Sequence, residues 1–181
     1  RCGIIAITLR PDDELVVVVI TTPGDELLLA TVYGMAIRFN EADARPMGRN
    51  ASGVRGIALG ADDELVGMVV ADPDAALLTA CENGYGKRTT FGNSTRLDAG
   101  FEPSSEVDEA TAAEPTEERS GSSRYRTQRR GGKGLRDIKT TRRNGKVVGS
   151  VRVDEEDELL MMPSGCMIQR LSLIHISAHP R

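Results

Sequence analysis

The strongest constraint on the fold of this 181-residue chain is an internal repeat with an offset of 50 residues. Residues 12–16 (DDELV) return unchanged as residues 62–66, and a third, more divergent copy follows later in the chain. At the same offset, identical residues pair Val19 with Val69, Pro23 with Pro73, Leu27 and Leu28 with Leu77 and Leu78, Ala30 with Ala80, Gly34 with Gly84, and Arg38 with Arg88. A period of about 50 residues is typical of propellers and solenoids, in which each repeat is one supersecondary unit.

Within each copy the apolar segments are short, rich in Val, Ile, Leu and Thr, and separated by turns that contain Asp, Gly or Pro. In the second copy they are residues 54–59, 65–70, 77–81 and 87–91. Asn83-Gly84 and Asn144-Gly145 predict tight two-residue turns, because these residue types tolerate a positive φ. Four short strands per repeat describe a propeller blade, so we predict an all-β, propeller-like fold of about three blades.

The longest apolar run, residues 15–20, has the length of a strand and is far too short to span a membrane. The third copy is delayed by an insertion, in which residues 98–118 contain eight acidic and no basic residues. Such a composition cannot bury a core, so we predict disorder. We therefore divide the chain into blades (1–97), a disordered acidic insert (98–123), a blade with a basic motif (124–170) and a tail outside the fold that resembles vector sequence (171–181).

The net charge of −4 hides two opposite regions. Residues 124–143 contain nine basic residues and one acidic residue, Asp137, directly after the acidic insert. Gly131, Gly132 and Gly134 lie among these cations and allow backbone amides to approach a phosphate. A basic run is usually a solvated face, but this composition favours the backbone of a duplex. The aromatic fraction of 3%, with no Trp, argues against stacking of single strands.

Residues 128–134 read QRRGGKG and look like the gyrase A box, and the surrounding sequence resembles the DNA gyrase A C-terminal domain family. The supporting segments are residues 34–40 (GMAIRFN), 45–49 (RPMGR), 53–57 (GVRGI), 83–89 (NGYGKRT) and 143–149 (RNGKVVG). The resemblance covers roughly residues 3–97 and 124–170. Five motifs in order at blade spacing make it specific.

The resemblance implies a β-pinwheel, usually a ring of six blades, with duplex DNA bent around its basic rim. The resemblance also implies that the parent enzyme is a type IIA topoisomerase that, with an ATP-hydrolysing B subunit, introduces negative supercoils. The DNA-binding positions carried over are Gln128, Arg129, Arg130, Gly131, Gly132, Lys133, Gly134, Arg136, Arg38, Arg49, Arg55, Lys87 and Arg88. Because the family's functional box lies near the start of the domain, this copy is either the essential box or an interior one.

The resemblance also sets expectations about partners. We expect no cofactor in this part, because ATP and magnesium act elsewhere in the parent, and we expect the A-subunit dimer partner and the B subunit to be reached through an N-terminal part outside this chain. We expect a fragment in the bacterial cytoplasm at the nucleoid, with no membrane contact. The acidic insert either competes with DNA for the basic stretch or is a solvated loop.

We predict no catalytic or metal-binding residue in this chain. Tyr125 follows Arg124 but lacks the rest of the family's cleavage context, and the two histidines, His175 and His179, both lie in the tail. Cys2, Cys81 and Cys166 show no metal-ligand spacing and predict unpaired thiols. Two alternatives remain: the equivalent domain of topoisomerase IV, which lacks an intact box, and a propeller that binds proteins and uses its arginines in salt bridges.

Overall fold

The computed structural model describes Gly3 and residues 5–92 and 125–173. These residues form nine strands and one 3₁₀ turn, Glu41–Asp43. The strands are β1 (Glu26–Thr31), β2 (Met35–Asn40), β3 (Leu65–Ala71), β4 (Ala76–Cys81), β5 (Gly86–Thr90), β6 (Leu135–Arg136), β7 (Val147–Val153), β8 (Glu158–Met161) and β9 (Gln169–Ser172). The prediction of an all-β fold is confirmed.

The strands form three antiparallel sheets, with the orders β3-β1-β2-β6, β5-β4-β7 and β8-β9. We call the first two blade 1 and blade 2. Each is built on a hairpin of one sequence copy, and a strand of the next copy adds to it: β3 in blade 1 and β7 in blade 2. β3 and β7 pair with their hairpins in the same register. Glu26 faces Ala71, the last residue of β3, and Ala76, which is equivalent to Glu26 in the repeat, faces Val153, the last residue of β7. Strands exchanged between copies therefore hold neighbouring blades together.

The core lies on both faces of β1. Successive side chains of a strand point to opposite faces, and four consecutive apolar residues of β1 are all buried. One face belongs to a cluster shared by the two blades, made of Leu28, Ala30, Ala36, Ala71, Ala75, Leu77, Phe91 and Tyr125. The other face packs in a second cluster with Leu27, Leu29, Ile37, Phe39 and Ile57. Blade 1 is thus enclosed on both sides, which explains its continuous apolar sequence.

A turn forms at Asn83-Gly84 as predicted, but its loop has three residues and not two, because the Cys81 amide donates to the carbonyl of Tyr85 at 2.8 Å. Gly84 has a φ of +79° and its amide donates to the carbonyl of Cys81 at 3.0 Å. Gly145 also has a positive φ, of +76°, and closes a turn with Thr141 immediately before β7. Both turns require a left-handed residue, which glycine supplies without a steric cost.

Two predicted strands are not formed. Residues 15–20 are not paired, and the side chain of Ile20 is 92% exposed. The equivalent strands β3 and β7 pair with the hairpin of the preceding copy, and no described residue supplies such a hairpin here. Residues 54–59 form no strand of a sheet. They lie beside the basic motif and are joined to it by backbone hydrogen bonds.

The domain division is corrected at one boundary. We predicted that residues 171–181 lie outside the fold, but Leu171 and Ser172 belong to β9. Leu173 is fully buried against Leu78 and Val153. The reason is the pairing of β9 with β8, which carries the chain back onto blade 2. The insert, residues 98–123, and the rest of the tail, residues 174–181 with both histidines, lie outside the described residues.

Candidate nucleic-acid interface

The motif at residues 128–134, which we call the box segment, lies along the edge of blade 1. The amide of Gln128 donates to the carbonyl of Arg38 at 2.7 Å, and β6, just after the segment, pairs with the start of β2. On the other side, the Gly131 amide donates to Gly56 O at 2.7 Å, and the Ala58 amide donates to Gly132 O at 2.8 Å. Backbone hydrogen bonds on two sides therefore fix the position of the segment.

Two glycines of the box segment allow its backbone to lie close to the neighbouring segments. Gly131 and Gly134 have φ values of +80° and +75°. A Cβ on Gly134 would collide with the carbonyl oxygen of Ala36 in β2, and a Cβ on Gly131 would lie 3.4 Å from the carbonyl oxygen of Arg55. Because the Gly131 amide already bonds Gly56, the expectation that glycine amides are open to a phosphate does not hold at this position.

The cations of the box segment differ in orientation. Arg129 and Lys133 are exposed, as is Arg136 in β6. Arg130 turns back onto the protein, where its Nε donates to Asp43 O at 2.9 Å and its Nη1 donates to Arg55 O at 2.5 Å. No carboxylate within the described ranges forms an ion pair with any of these four side chains. The segment thus presents unneutralised positive charge to solvent.

Arg38 must be removed from the predicted DNA-binding set. Its side chain is 1% exposed, and its guanidinium pairs with Glu26 at 2.6 Å. Its Nη1 also donates to the carbonyls of Phe91, Gly92 and Tyr125 at 3.0–3.3 Å. A guanidinium enclosed in this way cannot reach a phosphate. Arg38 instead joins blade 1 to the chain that enters the box segment.

The remaining predicted residues fall into two groups. Arg49 and Arg55 are exposed, in the connection that precedes β3. Gln128, Lys87 and Arg88 are half-buried, and the Lys87 ammonium lies 3.1 Å from the carboxylate of Asp137. Arg55 extends the cationic surface of the box segment, because it lies directly beside Gly131.

Sequence reasoning missed the role of Asp137, the one acidic residue of the basic run. Its buried carboxylate accepts hydrogen bonds from Thr79 Oγ1 and Tyr125 OH, each at 2.6 Å, as well as from Lys87. Asp137 thereby ties the chain on both sides of the box segment to blade 2. Its isolation among nine cations in the sequence was the available sign of a structural role.

Tyr125 is fully buried, and its hydroxyl is committed to Asp137. In the part of the chain that the structure describes, no group of three His, Cys, Asp or Glu side chains is arranged to hold a metal ion. Nor does any helix in those ranges have the length and apolarity needed to cross a membrane. Cys81 is buried and Cys166 exposed, and both are free thiols.

These features define a class: a β-propeller array of strand-exchanged blades with unpaired cations along one edge. The family model described as DNA gyrase C-terminal domain, beta-propeller, matches residues 3–22, 25–72 and 119–154. The chain belongs to this family, as the sequence motifs predicted.

Relatives named as the A subunit of DNA gyrase match nearly all of the chain. The protein of Clostridium acetobutylicum is 44% identical over 181 residues, which cover 100% of this chain and 18% of the relative. The protein of Klebsiella oxytoca is 35% identical over 175 residues, 97% of this chain and 16% of the relative. The chain therefore spans less than a fifth of the length of these relatives.

Two solved structures share the fold. A DNA gyrase A C-terminal domain superposes with a TM-score of 0.70 at 24% identity, over 93% of this chain and 47% of that one. The C-terminal domain of a DNA topoisomerase IV gives the same TM-score at 20% identity, over 93% and 43%. At these identities the likeness supports the blade architecture alone.

Proposed function

We propose that this chain binds duplex DNA through the phosphate backbone and acts as a DNA-wrapping part of a gyrase A protein. The observation that carries the proposal is the exposure of Arg129 and Lys133, without carboxylate partners among the described residues, on a segment whose backbone is fixed on both sides. Arg136, just after the segment, and Arg55, beside Gly131, extend the same charge. A fixed array of cations displaces counterions from a duplex at little conformational cost.

The proposed binding is independent of base sequence. The cations lie along a blade edge, and the guanidinium of Arg130 is held on the backbone carbonyls of Asp43 and Arg55. Contacts of this kind bind and bend a duplex by charge and deformability.

The wider role follows from the relatives. As part of a gyrase A protein, the chain would contribute to a type IIA topoisomerase that introduces negative supercoils with ATP and magnesium bound elsewhere. The A-subunit partner and the B subunit would be engaged by other parts of that enzyme. The corresponding location is the bacterial cytoplasm, at the nucleoid. The chain itself would be noncatalytic.

Two alternatives are weaker. The topoisomerase IV domain has an equal TM-score, but the intact QRRGGKG motif favours gyrase. A protein-binding propeller would use its arginines as ion-pair partners. Arg152 and Arg170 are used in that way, with Asp72 and Asp154 and with Glu158, whereas Arg129 and Lys133 have no such partner among the described residues.

The proposal is tested by measuring duplex binding by fluorescence anisotropy for two unrelated sequences over a range of salt concentrations. The double variant Arg129→Ala/Lys133→Ala should weaken binding of both duplexes similarly and lower the magnitude of the log K against log salt slope by about 2. The matched control is Arg152→Ala/Arg170→Ala, which removes the same charge from ion-paired sites. Equal losses in both variants would show a net-charge effect and reject the box segment as the site.

A further inference from the structure

A second cationic surface lies in the loop of residues 139–146, between β6 and β7. It carries Lys139, Arg142, Arg143 and Lys146, all exposed. None of the four forms an ion pair with a carboxylate among the described residues. The predicted DNA-binding set did not include them.

The shape of the 139–146 loop is fixed from within. The Asn144 side-chain oxygen accepts from the amide and the hydroxyl of Thr141 at 2.6 and 2.8 Å, and its nitrogen donates to Lys139 O at 2.9 Å. Gly145, at a φ of +76°, donates its amide to Thr141 O at 2.9 Å. The loop is therefore ordered by hydrogen bonds that do not involve its cationic groups.

The loop is also clamped from outside, on the turn between β4 and β5. Asn83 Nδ2 donates to Arg143 O at 2.9 Å, and the Glu82 carboxylate accepts from the Lys146 amide at 2.9 Å. The Glu82 amide donates in return to Lys146 O at 2.9 Å. Blade 2 thus holds the loop in place through backbone groups and leaves its cations facing solvent.

Two of the cations rest on tyrosine rings. The Arg143 guanidinium carbon lies 5.2 Å from the Tyr85 ring centroid, and its Nε donates to the Tyr85 hydroxyl at 2.8 Å. The Lys146 ammonium lies 5.3 Å from the Tyr33 centroid. A ring restricts a long side chain without neutralising its charge. Because the bond to Tyr85 uses Nε, the two terminal nitrogens of Arg143 remain available to a ligand.

The 139–146 loop is continuous with the box segment. Lys133 and Tyr33 line one shallow depression with Met35, and Tyr33 lines the next with Arg142 and Lys146. Tyr33 therefore separates the two sets of cations by one side chain. A ligand with regularly spaced charges can contact both sets at once, and a duplex backbone has that form.

We propose that the 139–146 loop is a second phosphate-binding surface, on which Arg142 and Arg143 contact the duplex and Tyr85 is a positioning residue for Arg143. The inference rests on the proposed function and extends the DNA path beyond the box segment. The hydrogen bond from Arg143 to Tyr85 fixes the plane of the guanidinium, so that its free edge is ready for a phosphate.

The test compares salt slopes of duplex binding in the full chain. Arg142→Ala/Arg143→Ala should lower the magnitude of the slope by about 2, since each lost phosphate contact removes about 0.9. Tyr85→Phe keeps the ring and all charges, so it should weaken affinity while leaving the slope within about 0.5 of the unmodified protein. The control is again Arg152→Ala/Arg170→Ala, and circular dichroism should be unchanged in all variants.

The outcomes separate the two proposals. If the loop variant keeps the full slope while Arg129→Ala/Lys133→Ala loses part of it, the second surface is rejected and the proposed function stands. If the unmodified chain does not bind duplex DNA, both are rejected. If Tyr85→Phe binds as tightly as the unmodified chain, Tyr85 has no positioning role.

Discussion

Arg38 in blade 1 and Arg88 in blade 2 occupy the same position of the repeat, yet their environments differ. Arg38 is buried, paired with Glu26 and bonded to three carbonyls. Arg88 is half-buried and has no ion-pair partner among the described residues. At the offset of 50, Ala76 replaces Glu26. The difference shows that the position in the repeat does not decide whether an arginine is structural. What decides it is which other segment of the same chain packs against it.

The chain that covers Arg38 comes from the third sequence copy. Residues 125–128 cross the edge of β2, and Thr127 forms a bridge with Arg38. The edge of β5, where Arg88 lies, has no such cover in the described ranges. The segment that buries Arg38 leads directly into the box segment. The burial of Arg38 and the position of the exposed cations therefore both depend on how residues 125–128 pack against β2.

The largest effect should come from Arg38→Ala. Removing the guanidinium breaks the buried ion pair with Glu26, which keeps only a hydrogen bond from Thr127, and takes one donor from three carbonyls. Breaking a buried pair in this way costs about 3–5 kcal/mol. Arg88→Ala, the matched change in blade 2, should cost about 1 kcal/mol or less. Urea unfolding followed by circular dichroism measures both, and equal losses would contradict the contrast between the blades.

Asp137→Asn should have the next largest effect. Its carboxylate accepts from Thr79, Tyr125 and Lys87, and hydrogen bonds to a charged group contribute about 1.5–3 kcal/mol. The control is Asp72→Asn, whose half-exposed pair with Arg152 should be worth at most about 1 kcal/mol. If Asp137→Asn lowered the free energy of unfolding no more than the control does, the hydrogen bonds of Asp137 would not be what stabilises the contact with blade 2.

Two glycine variants separate docking from turn geometry. Gly134→Ala and Gly84→Ala impose a similar backbone strain, about 1–2 kcal/mol, because both φ values are positive. Only Gly134→Ala adds a collision, with Ala36 O in β2, since a Cβ on Gly84 meets no atom within 4 Å. Thermal unfolding should therefore show a larger loss for Gly134→Ala. Gly134→Ala should also weaken duplex binding. An equal loss of stability in the two variants would argue against close packing of the box segment on β2.

The smallest effect concerns thiol reactivity. Burial, with the nearby carboxylates of Asp137 and Glu82, raises the pKa of the Cys81 thiol, so less of the reactive thiolate is present at pH 8. Cys166 is exposed in the connection from β8 to β9. Of these two cysteines, alkylation followed by peptide mass spectrometry should modify Cys166 in the folded protein and Cys81 only after urea is added. Early modification of Cys81 in the folded protein would show that this end of blade 2 opens readily.

The repeat predicted most of the fold, because strand length, turn residues and apolar segments are local properties. β3, β4 and β5 follow the predicted bounds within one or two residues, and a turn lies at Asn83-Gly84, although it is one residue longer than predicted. The exchange of strands between copies could not be predicted in this way, since it depends on which edge a strand meets. That same non-local choice explains why residues 15–20 remain unpaired.

Charge and motif predicted the candidate site in outline, but not which of its cations are exposed and which are buried. Arg38 and Arg129 look alike in sequence, and only the packing shows that one is enclosed and the other exposed. Residues 139–143 were part of the basic run, yet the ordering of the 139–146 loop depends on Asn83 and Glu82, which lie more than 50 residues earlier in the chain. Long-range contacts of this kind leave no local sequence pattern.

The central claim is that the unpaired cations of the box segment and its neighbours bind the phosphates of a duplex. The most direct test is the salt dependence of binding by the unmodified chain to a duplex of arbitrary sequence. If roughly six phosphates are neutralised, log K against log salt concentration should fall with a slope near −5. A slope close to zero would contradict the claim, because binding would then not depend on the release of counterions.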